Sequence, residues 1–323
     1  MGRGSRAGWG GGLALGLMAL APTASAQDLG DIRNELRTGA EGFSRALQSL
    51  TGFAALPGVS AANFTVGGDA LSSDAEIDKY VLPFSEQFSD IRALGGELYT
   101  ELTLGYLTYD QTAELLPTVS QELGIQSFSA FAGLGLGFPL TPRTTIRPIL
   151  LFGYSRIQDN SKFTGIDGPI YQKIEDGLFA DFRLDTALLG GALQLAYERK
   201  LTDDIHFTTR LRYNQLHADT FDATDAALET SSNFGVFTAH AETNGPTGLS
   251  LLERDLRWIV FAANSTFTES TGTDISFFFE LGGGIEIVDP GVVRGVDGVS
   301  LRASGIRGEQ NVNGWSAYLQ LEF

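Results

Sequence analysis

The sequence predicts an all-β fold: a transmembrane antiparallel β-barrel of about twelve strands, preceded by a short N-terminal amphipathic helix. Three observations lead to this prediction. Long segments alternate between apolar and polar positions, short turns alternate with long loops, and the chain of 323 residues starts with an export signal. A strand of a soluble protein usually has five or six residues, whereas a tilted strand that crosses a bilayer needs about 9–11.

Each strand segment has one apolar face and one polar face. In 97–109, Leu98, Leu102 and Tyr106 lie on one face and Glu101 lies on the other. Aromatic residues fall near the ends of the apolar faces, and transmembrane barrels carry girdles of aromatic side chains at both interfaces. These residues are Tyr106, Phe128, Phe138, Tyr154, Tyr197, Tyr213, Trp315 and Phe323.

The best strand count is twelve, with ten or eight as alternatives, because four of the segments are poorly patterned: 60–67, 79–88, 232–242 and 293–305. The other eight lie near 96–109, 126–138, 143–157, 183–198, 204–217, 252–267, 274–287 and 312–323. The glycine-rich stretches GLGLG and LGGGIE lie inside these strands. We interpret their glycines as close-packing positions in the lumen, since a nucleotide loop needs a strand–turn–helix context.

The connections between strands differ in length from one side of the barrel to the other. Short links with turn residues are predicted at 139–143, 198–204, 243–248 and 289–291. Longer and often acidic links are predicted at 110–124, 158–180 and 218–232. Short turns at one end and long loops at the other are typical of outer-membrane barrels, with the short turns in the periplasm.

The first 26 residues have the pattern of a secretory signal peptide. Arg3 and Arg6 form a basic start, 13–21 is apolar, and Ala26 closes an A-x-A site, which predicts cleavage after Ala26. The remaining chain has 20 Lys and Arg against 39 Asp and Glu, a net charge of −19, and the protein has no cysteine. A surface this acidic argues against nucleic acid as a partner.

Between 28 and 53 the apolar period changes to about 3.6 residues, which predicts an amphipathic helix. We therefore divide the chain into a signal peptide (1–26), a helix with a linker (27–58) and the barrel (59–323). The apolar stripe of the helix consists of Leu29, Ile32, Leu36, Ala40, Phe43, Leu47 and Leu50, and its charged stripe of Arg33, Arg37, Glu41 and Arg45.

One hypothesis is that this helix sits at or inside the barrel mouth as a plug. Its basic stripe would then face acidic lumen residues, and its apolar stripe would meet Phe131 and Leu188. The alternative is a helix on the periplasmic membrane surface or a loose linker. The contacts that the plug hypothesis predicts join Arg33, Arg37 and Arg45 to Glu101, Glu280 and Glu286.

The chain ends in GWSAYLQLEF (314–323), in which every second residue is apolar: Trp315, Ala317, Leu319, Leu321 and Phe323. We predict that this is the last strand, with that face in lipid. It should pair with the first strand, because a closed barrel leaves no edge. A terminal Phe behind alternating apolar residues resembles the signal by which the assembly machinery of Gram-negative bacteria recognises outer-membrane barrels.

More broadly, residues 60–323 are similar to the barrel domain of autotransporters, through the twelve strands, the preceding helix and the ending. The chain most resembles the solitary autotransporter-like barrels, because only about thirty residues separate the cleavage site from the first strand and no passenger is expected. The resemblance implies the bacterial outer membrane as the location. The implied partners are outer-membrane lipid and the barrel assembly machinery.

An outer-membrane enzyme acting on lipid or peptide is an alternative, so the three histidines need inspection. A hydrolase needs a His beside a Ser, oriented by a third polar group. His206 has only threonines nearby in the sequence, His240 has Glu242 but no Ser, and His217 lies with Asp219 at a predicted rim. We interpret all three as polar lumen or rim residues.

The acidic segment 219–229 does not match the spacing of a calcium-binding loop, so we expect no metal and no cofactor. The expected function is that of a non-enzymatic outer-membrane protein of structural or pore type. A surface adhesin that acts through the loops at 158–182 and 218–231 is a further alternative.

Overall fold

The structure is a computed structural model, and it describes residues 26–54, 61–67, 73–251, 253–268, 276–288, 298–309 and 311–322. The predicted signal peptide therefore lies outside the described residues, except for Ala26. The chain begins with the helix α1 (Ala26–Ala54), where the change to a helical period predicts it. A second helix, α2 (Gly168–Glu175), and a short 3₁₀ turn (Ala226–Leu228) lie between strands.

The described strands are long, as the alternation predicts. They are β1 (Ala61–Val66), β2 (Ala75–Ala93), β3 (Gly96–Leu116), β4 (Val119–Thr141), β5 (Thr144–Asp159), β6 (Lys162–Thr164), β7 (Arg183–Lys200), β8 (His206–Ala223), β9 (Ser231–Leu251), β10 (Arg254–Phe267), β11 (Phe277–Val288), β12 (Gly298–Gly308) and β13 (Asn313–Glu322).

Twelve of these strands form one closed antiparallel barrel, which confirms the predicted fold class and count. Each strand pairs with the next along the chain, with β5 followed by β7, and β3 pairs with β4 to complete the ring. The first and last strands meet as predicted, with Ala61 opposite Ala317 and Thr65 opposite Asn313. The short β6 extends the sheet beyond the ring by pairing with one end of β4.

The outward face of the barrel is an apolar belt. Outward-facing leucines and aromatic residues alternate with buried inward-facing residues, so the predicted inside–outside assignment is confirmed. In the described part of the chain no helix is long and apolar enough to span a membrane. Exposed members of the belt include Tyr80, Leu102, Tyr106, Phe128, Leu134, Leu150, Phe152, Leu189, Tyr213, Leu281, Leu301, Trp315 and Leu319.

The two ends of the barrel differ. At one end, which we call the short-turn end, strands are joined at 94–95, 142–143 and 201–205. At the opposite end, the loop end, the chain between β5 and β7 forms a cap from β6 and α2. Tyr171 of α2 stacks on Phe163 of β6, with ring centroids 6.2 Å apart.

Two predicted connections are wrong. The segment 110–124 is not a loop, because β3 and β4 continue through it and turn only at 117–118. Leu115 and Leu116 pack against a buried cluster that includes Phe163 of the cap, and this packing outweighs the polar composition of the segment.

The second wrong connection is the tight turn predicted at 243–248, which lies inside β9. Its turn residues are absorbed by a bulge, where the register with β10 shifts between Asp255 and Arg257. Gly248 takes a positive φ of 74° in this bulge, a conformation that costs glycine little. The hairpin therefore turns later, next to Glu253.

Candidate functional site

The helix α1 enters the barrel from the loop end and reaches into the lumen. In the first half of the helix, Arg37 Nη2 donates to Asp225 Oδ2 at 2.9 Å, beside the 3₁₀ turn of the loop end. Further along, Ser44 Oγ donates to the Leu228 carbonyl at 2.7 Å. Near the end of the helix, Thr51 Oγ1 and Ser155 Oγ on β5 are 3.0 Å apart. The helix therefore fills the half of the lumen next to the loop end.

The apolar stripe of the helix packs against the barrel wall and the cap. Ala40, Phe43, Leu47 and Leu50 are buried in one cluster with inward residues from strands around the ring. The Phe43 ring centroid lies 5.1 Å from that of Phe179 and 5.3 Å from that of Phe182. These four residues of the stripe are thus buried, and Leu36 packs partly buried against the same cluster. Phe131 and Leu188, the predicted partners, belong to a separate cluster.

Polar contacts fix the rotation of the helix inside the lumen. Gln48 is fully buried, and its Nε2 donates to Thr220 Oγ1 and to the Thr230 carbonyl, both at 2.8 Å. Its Oε1 accepts the hydroxyl of Ser232. A buried amide satisfied on both sides holds one orientation, because any rotation would leave donors or acceptors unpaired.

Arg37 and Arg45 do not make the predicted contacts with the lumen acids Glu101, Glu280 and Glu286. Arg37 pairs with Asp225, and Arg45 pairs with Glu41 within the helix. Both arginine side chains are about half exposed, at 47% and 53%, because the charged stripe stays at the wetter side of the helix. The side chain of Arg33 lies outside the described residues. The lumen acids Glu101 and Glu280 have partners on the barrel wall instead, and Glu286 is buried there too.

Beneath the helix, an ion pair crosses the lumen. Arg212 on β8 grips Glu101 on β3 with two hydrogen bonds, Nη1 to Oε2 at 2.7 Å and Nη2 to Oε1 at 2.6 Å. Three strands separate β3 from β8 in the ring, so this pair spans the interior rather than joining neighbours. Both side chains are nearly buried, at 7% and 10% exposure. Asn214 accepts the remaining Nε–H of Arg212 at 2.7 Å.

A second ion pair crosses the lumen farther around the ring. Arg302 on β12 donates through Nη1 to Glu242 on β9, and both are largely buried. Beside it, Glu280 on β11 accepts the hydroxyls of Ser304, Ser316 and Tyr318 through Oε1. Buried charges require such partners, because an unpaired ion away from water is strongly destabilising.

Glycines on the inward face make room for these bulky side chains, as the sequence predicted for GLGLG and LGGGIE. A Cβ at Gly133 would lie 2.5 Å from Glu101 Cγ, and one at Gly282 would lie 2.6 Å from the ring of Phe261. Glycine is therefore required where a long side chain lies directly against the backbone of a neighbouring strand. The inward-facing glycines leave the space that these long side chains fill in the lumen.

The side chains that line the middle of the lumen are shielded from solvent. Tyr99, Phe131, Ile149, Leu151 and Leu188 form a buried cluster, and Arg212, Glu280 and Arg302 are each at most 7% exposed. In a water-filled channel these lumen side chains would be exposed to solvent. At the level of these described residues, the barrel interior is packed.

The histidines do not form a nucleophile–base pair among the described residues. His217 Nδ1 lies 3.0 Å from Asn233 Oδ1. His240 Nε2 lies 3.9 Å from Glu242 Oε2, and its ring stacks on Phe261. The described residues also contain no group of three or more acidic or histidine side chains that could hold a metal ion.

The final strand presents the predicted outward face as far as it is described. Trp315 is 55% and Leu319 62% exposed, and Ala317 shares their face. The side chains of Leu321 and Phe323 lie outside the described residues. The use of this ending as an assembly signal stays a prediction.

The cap at the loop end contains a buried carboxyl group that the sequence did not single out. Glu175, the last residue of α2, is 1% exposed, and neither of its carboxyl oxygens has a hydrogen-bond partner among the described residues. Burial, and secondarily the nearby charge of Asp159, raises the pKa of Glu175 to about 8. The group is therefore largely protonated at neutral pH.

These features define a class of protein: a closed twelve-stranded transmembrane β-barrel whose lumen is filled by a helix in one half and by its own side chains in the other. The autotransporter β-domain is built on this barrel fold. The transport unit of the autotransporter AIDA-I from Escherichia coli matches with a TM-score of 0.52 and 11% identity, over 81% of this chain and 88% of that chain.

Two further solved structures are similar over most of their length. The β domain of the Bordetella autotransporter BrkA has a TM-score of 0.48 and 15% identity, over 80% of this chain and 94% of that chain. The translocator domain of NalP from Neisseria meningitidis has a TM-score of 0.43 and 14% identity, over 87% and 95%. No protein-family model and no curated protein matches the sequence. The similarity is therefore one of fold.

Removing one partner of the Arg212–Glu101 ion pair should strongly destabilise the barrel. Arg212→Met leaves Glu101 buried without its partner, so we expect a loss of about 3–5 kcal/mol in the free energy of unfolding. The double variant with Glu101→Gln should recover part of that loss. Urea unfolding of the refolded barrel in lipid vesicles measures both values.

The control for this measurement is Arg45→Met, which removes the exposed pair with Glu41. It should change stability by less than about 1 kcal/mol, because exposed ion pairs contribute little. If Arg212→Met and Arg45→Met gave equal losses, the lumen pair would not be the buried bridge described above.

The stability of the cap should depend on pH through Glu175. Because its folded pKa of about 8 exceeds the ordinary glutamate value of 4.5, the native cap binds the extra proton. Its stability is full below about pH 4.5, falls by about 1.4 kcal/mol for each pH unit above that, and levels off above about pH 8. Limited proteolysis of 160–182 between pH 5 and 9 measures this loss.

Glu175→Gln is the matched control, since its side chain has the same shape but does not titrate. Its proteolysis profile reports the pH dependence of the protease and of the other titrating groups near the cap, Asp159 among them, and the native profile should diverge from it as the pH rises. Parallel profiles for the two proteins would contradict the prediction.

Proposed function

We propose that this chain is a non-enzymatic outer-membrane protein of the structural kind. It is an autotransporter-like barrel that holds its own N-terminal helix in a sealed lumen. The single observation that carries the proposal is the burial of the inward-facing side chains in the middle of the barrel, Tyr99, Phe131 and Arg212 among them.

This burial favours an anchor over an open pore, the other form of the function expected from sequence. Porin-type barrels enclose a water-filled channel with a polar interior. Here the helix α1 occupies one half of the lumen. The other half is crossed by the pairs Arg212–Glu101 and Arg302–Glu242. A solute would have to displace both layers to pass.

The orientation follows from the two ends of the barrel. The predicted signal peptide directs the chain to the periplasm, and the short turns of outer-membrane barrels lie on the periplasmic side. The loop end, with the cap and the start of α1, then faces the outside of the cell. Outer-membrane lipid contacts the apolar belt, and the assembly machinery recognises the ending at Phe323.

Adhesion through the loop end is the second candidate. It is favoured by two apolar side chains of the cap, Ile166 at 86% and Ile170 at 51% exposure. Exposed apolar residues at an extracellular surface can contribute to contact with a ligand. Loss of surface binding on Ile166→Ser with Ile170→Ser, with the barrel intact, would favour this candidate.

The sealed-lumen proposal predicts three conductance results in planar bilayers. The full chain should show no steady channel. A 27–56 deletion should also stay closed, because the ion pairs and the packed cluster remain. The deletion combined with Arg212→Ala, Arg302→Ala, Tyr99→Ala and Phe131→Ala should conduct, because the helix, the ion pairs and the largest side chains of the packed cluster are then removed.

Each barrel is first checked for folding by circular dichroism and by its heat-dependent mobility in gels. Large steady conductance of the full chain would contradict a sealed anchor and favour a pore. Conductance of the deletion alone would show that the helix is the complete plug and that the ion pairs close nothing.

Cell fractionation tests both the outer-membrane location of the protein and the role of its C-terminal residues as an assembly signal. The native protein should begin at Gln27 and be recovered with the outer membrane. Phe323→Lys should lower that yield severalfold, whereas the lumen change Gln320→Ala should not. A lysine near an interface costs roughly 0–1 kcal/mol, so a large defect points to recognition. Soluble periplasmic recovery of the native protein would contradict the location.

A further inference from the structure

A cluster of charged side chains lies on the outward face of the barrel, directly above the apolar belt at the loop end. Leu150 and Phe152 on β5 are each 50% exposed, and the next outward positions on that strand are Tyr154 and Arg156. Arg156 lies opposite Asp185 on β7. The cluster therefore sits where the apolar belt gives way to polar surface.

Asp185 is the centre of the cluster. Its side chain is only 4% exposed although it lies on the outer face, because three side chains cover it. Arg156 donates through Nε to Oδ1 at 2.7 Å and through Nη2 to Oδ2 at 3.2 Å. Arg183 Nε lies 3.3 Å from Oδ2, and Tyr154 donates its hydroxyl to Oδ1.

Asp185 holds the two arginines in place but accepts only some of their N–H donors. Each guanidinium has five N–H donors in a rigid fork, and Asp185 takes only part of each set. Arg183 gives its Nη2 to Asp222 at 2.7 Å. The side chains of Arg156 and Arg183 remain 46% and 45% exposed. Their remaining donors thus face the surroundings at fixed positions on neighbouring strands.

At this level the surroundings of a membrane-embedded barrel are the polar headgroups of the outer leaflet. Arginine forks match phosphate oxygens in geometry and charge. A buried carboxylate that orients two of them lowers the conformational entropy lost when an anion binds. We propose that Arg156 and Arg183 form a binding site for a phosphate group of an outer-leaflet lipid, with Asp185 as their positioning residue.

The exposed carboxylate of Asp222 is the internal competitor at this site. It is 53% exposed, and it gives Arg183 an anionic partner in the absence of lipid. A lipid phosphate binds by sharing or displacing this carboxylate. Removal of the Asp222 carboxylate should therefore strengthen lipid binding.

The wall formed by β1, β2 and β3, which only β4 separates from β5, has the contrary charge near the same boundary. Asn63 Nδ2 donates to Glu76 Oε1 at 3.0 Å and to Asp78 Oδ1 at 2.9 Å. Asp110 lies opposite Glu76 in the register of β2 and β3. Lipid phosphates are repelled from this acidic wall, so charge complementarity favours β5 and β7 over the neighbouring strands β1, β2 and β3.

The inference rests on the proposed outer-membrane location, but its test uses the purified full-length barrel in detergent and can fail independently. The probe is bis-phosphorylated lipid A, compared with the same lipid after removal of its phosphates. Retained lipid per barrel is measured by native mass spectrometry. The native protein should retain the phosphorylated form at least fivefold better.

Arg156→Met with Arg183→Met should abolish that preference, and Asp222→Asn should increase retention of the phosphorylated lipid. Arg143→Met is the matched control, because it removes an exposed arginine at the short-turn end and should change nothing. Equal retention by the native protein and the double variant would overturn the proposal. A decrease for Asp222→Asn would do the same.

Inorganic phosphate separates the two possible sources of the anion. If millimolar inorganic phosphate displaces the lipid completely from native protein, the site recognises free phosphate and the lipid assignment is wrong. Retention of the lipid under these conditions supports it. Equal retention of phosphorylated and dephosphorylated lipid would mean that acyl-chain packing alone holds the lipid, which also overturns the proposal.

Discussion

The structure depends on one constraint: inside a bilayer every backbone N–H and C=O must find its partner within the protein. The pairing of the first and last strands satisfies it, since Ala61 and Ala317 join β1 to β13 and leave the ring without an edge. Once the ring is closed, the alternation of side chains along each strand becomes an alternation between lipid and lumen. The apolar belt and the packed interior are both consequences of this closure.

Closure creates a second problem, which is how to fill the lumen. The half at the loop end uses α1, whose apolar stripe packs on the wall and whose Gln48 is satisfied by Thr220 and Thr230. The half at the short-turn end uses long side chains from the wall itself. Arg212 and Glu101 can meet across the interior because Gly133 leaves space beside Glu101.

The two halves of the lumen are filled by different kinds of contact. The helix is held by apolar packing and by hydrogen bonds between uncharged groups, such as those of Gln48. The cross-lumen pairs are held by charges that are nearly buried, and removal of one partner leaves the other without compensation. The outer face adds a third kind of contact, where Asp185 holds two arginines at the edge of the belt.

The sequence by itself determined the fold class, the inside–outside pattern and the apolar stripe of α1, because these follow from local periodicity. It left the strand number between twelve, ten and eight, because four segments are poorly patterned, and the pairing of the ring decided for twelve. Leu102 and Tyr106 face outward and Glu101 inward for no reason beyond a period of two. Local patterns could not determine where β9 ends, since its Gly-Pro segment was absorbed by a bulge. Local patterns also could not determine that Glu101 would pair with Arg212, 111 positions away along the chain, and not with an arginine of the helix. That choice depends on the register and tilt of the whole ring, which bring side chains together only after the barrel has closed.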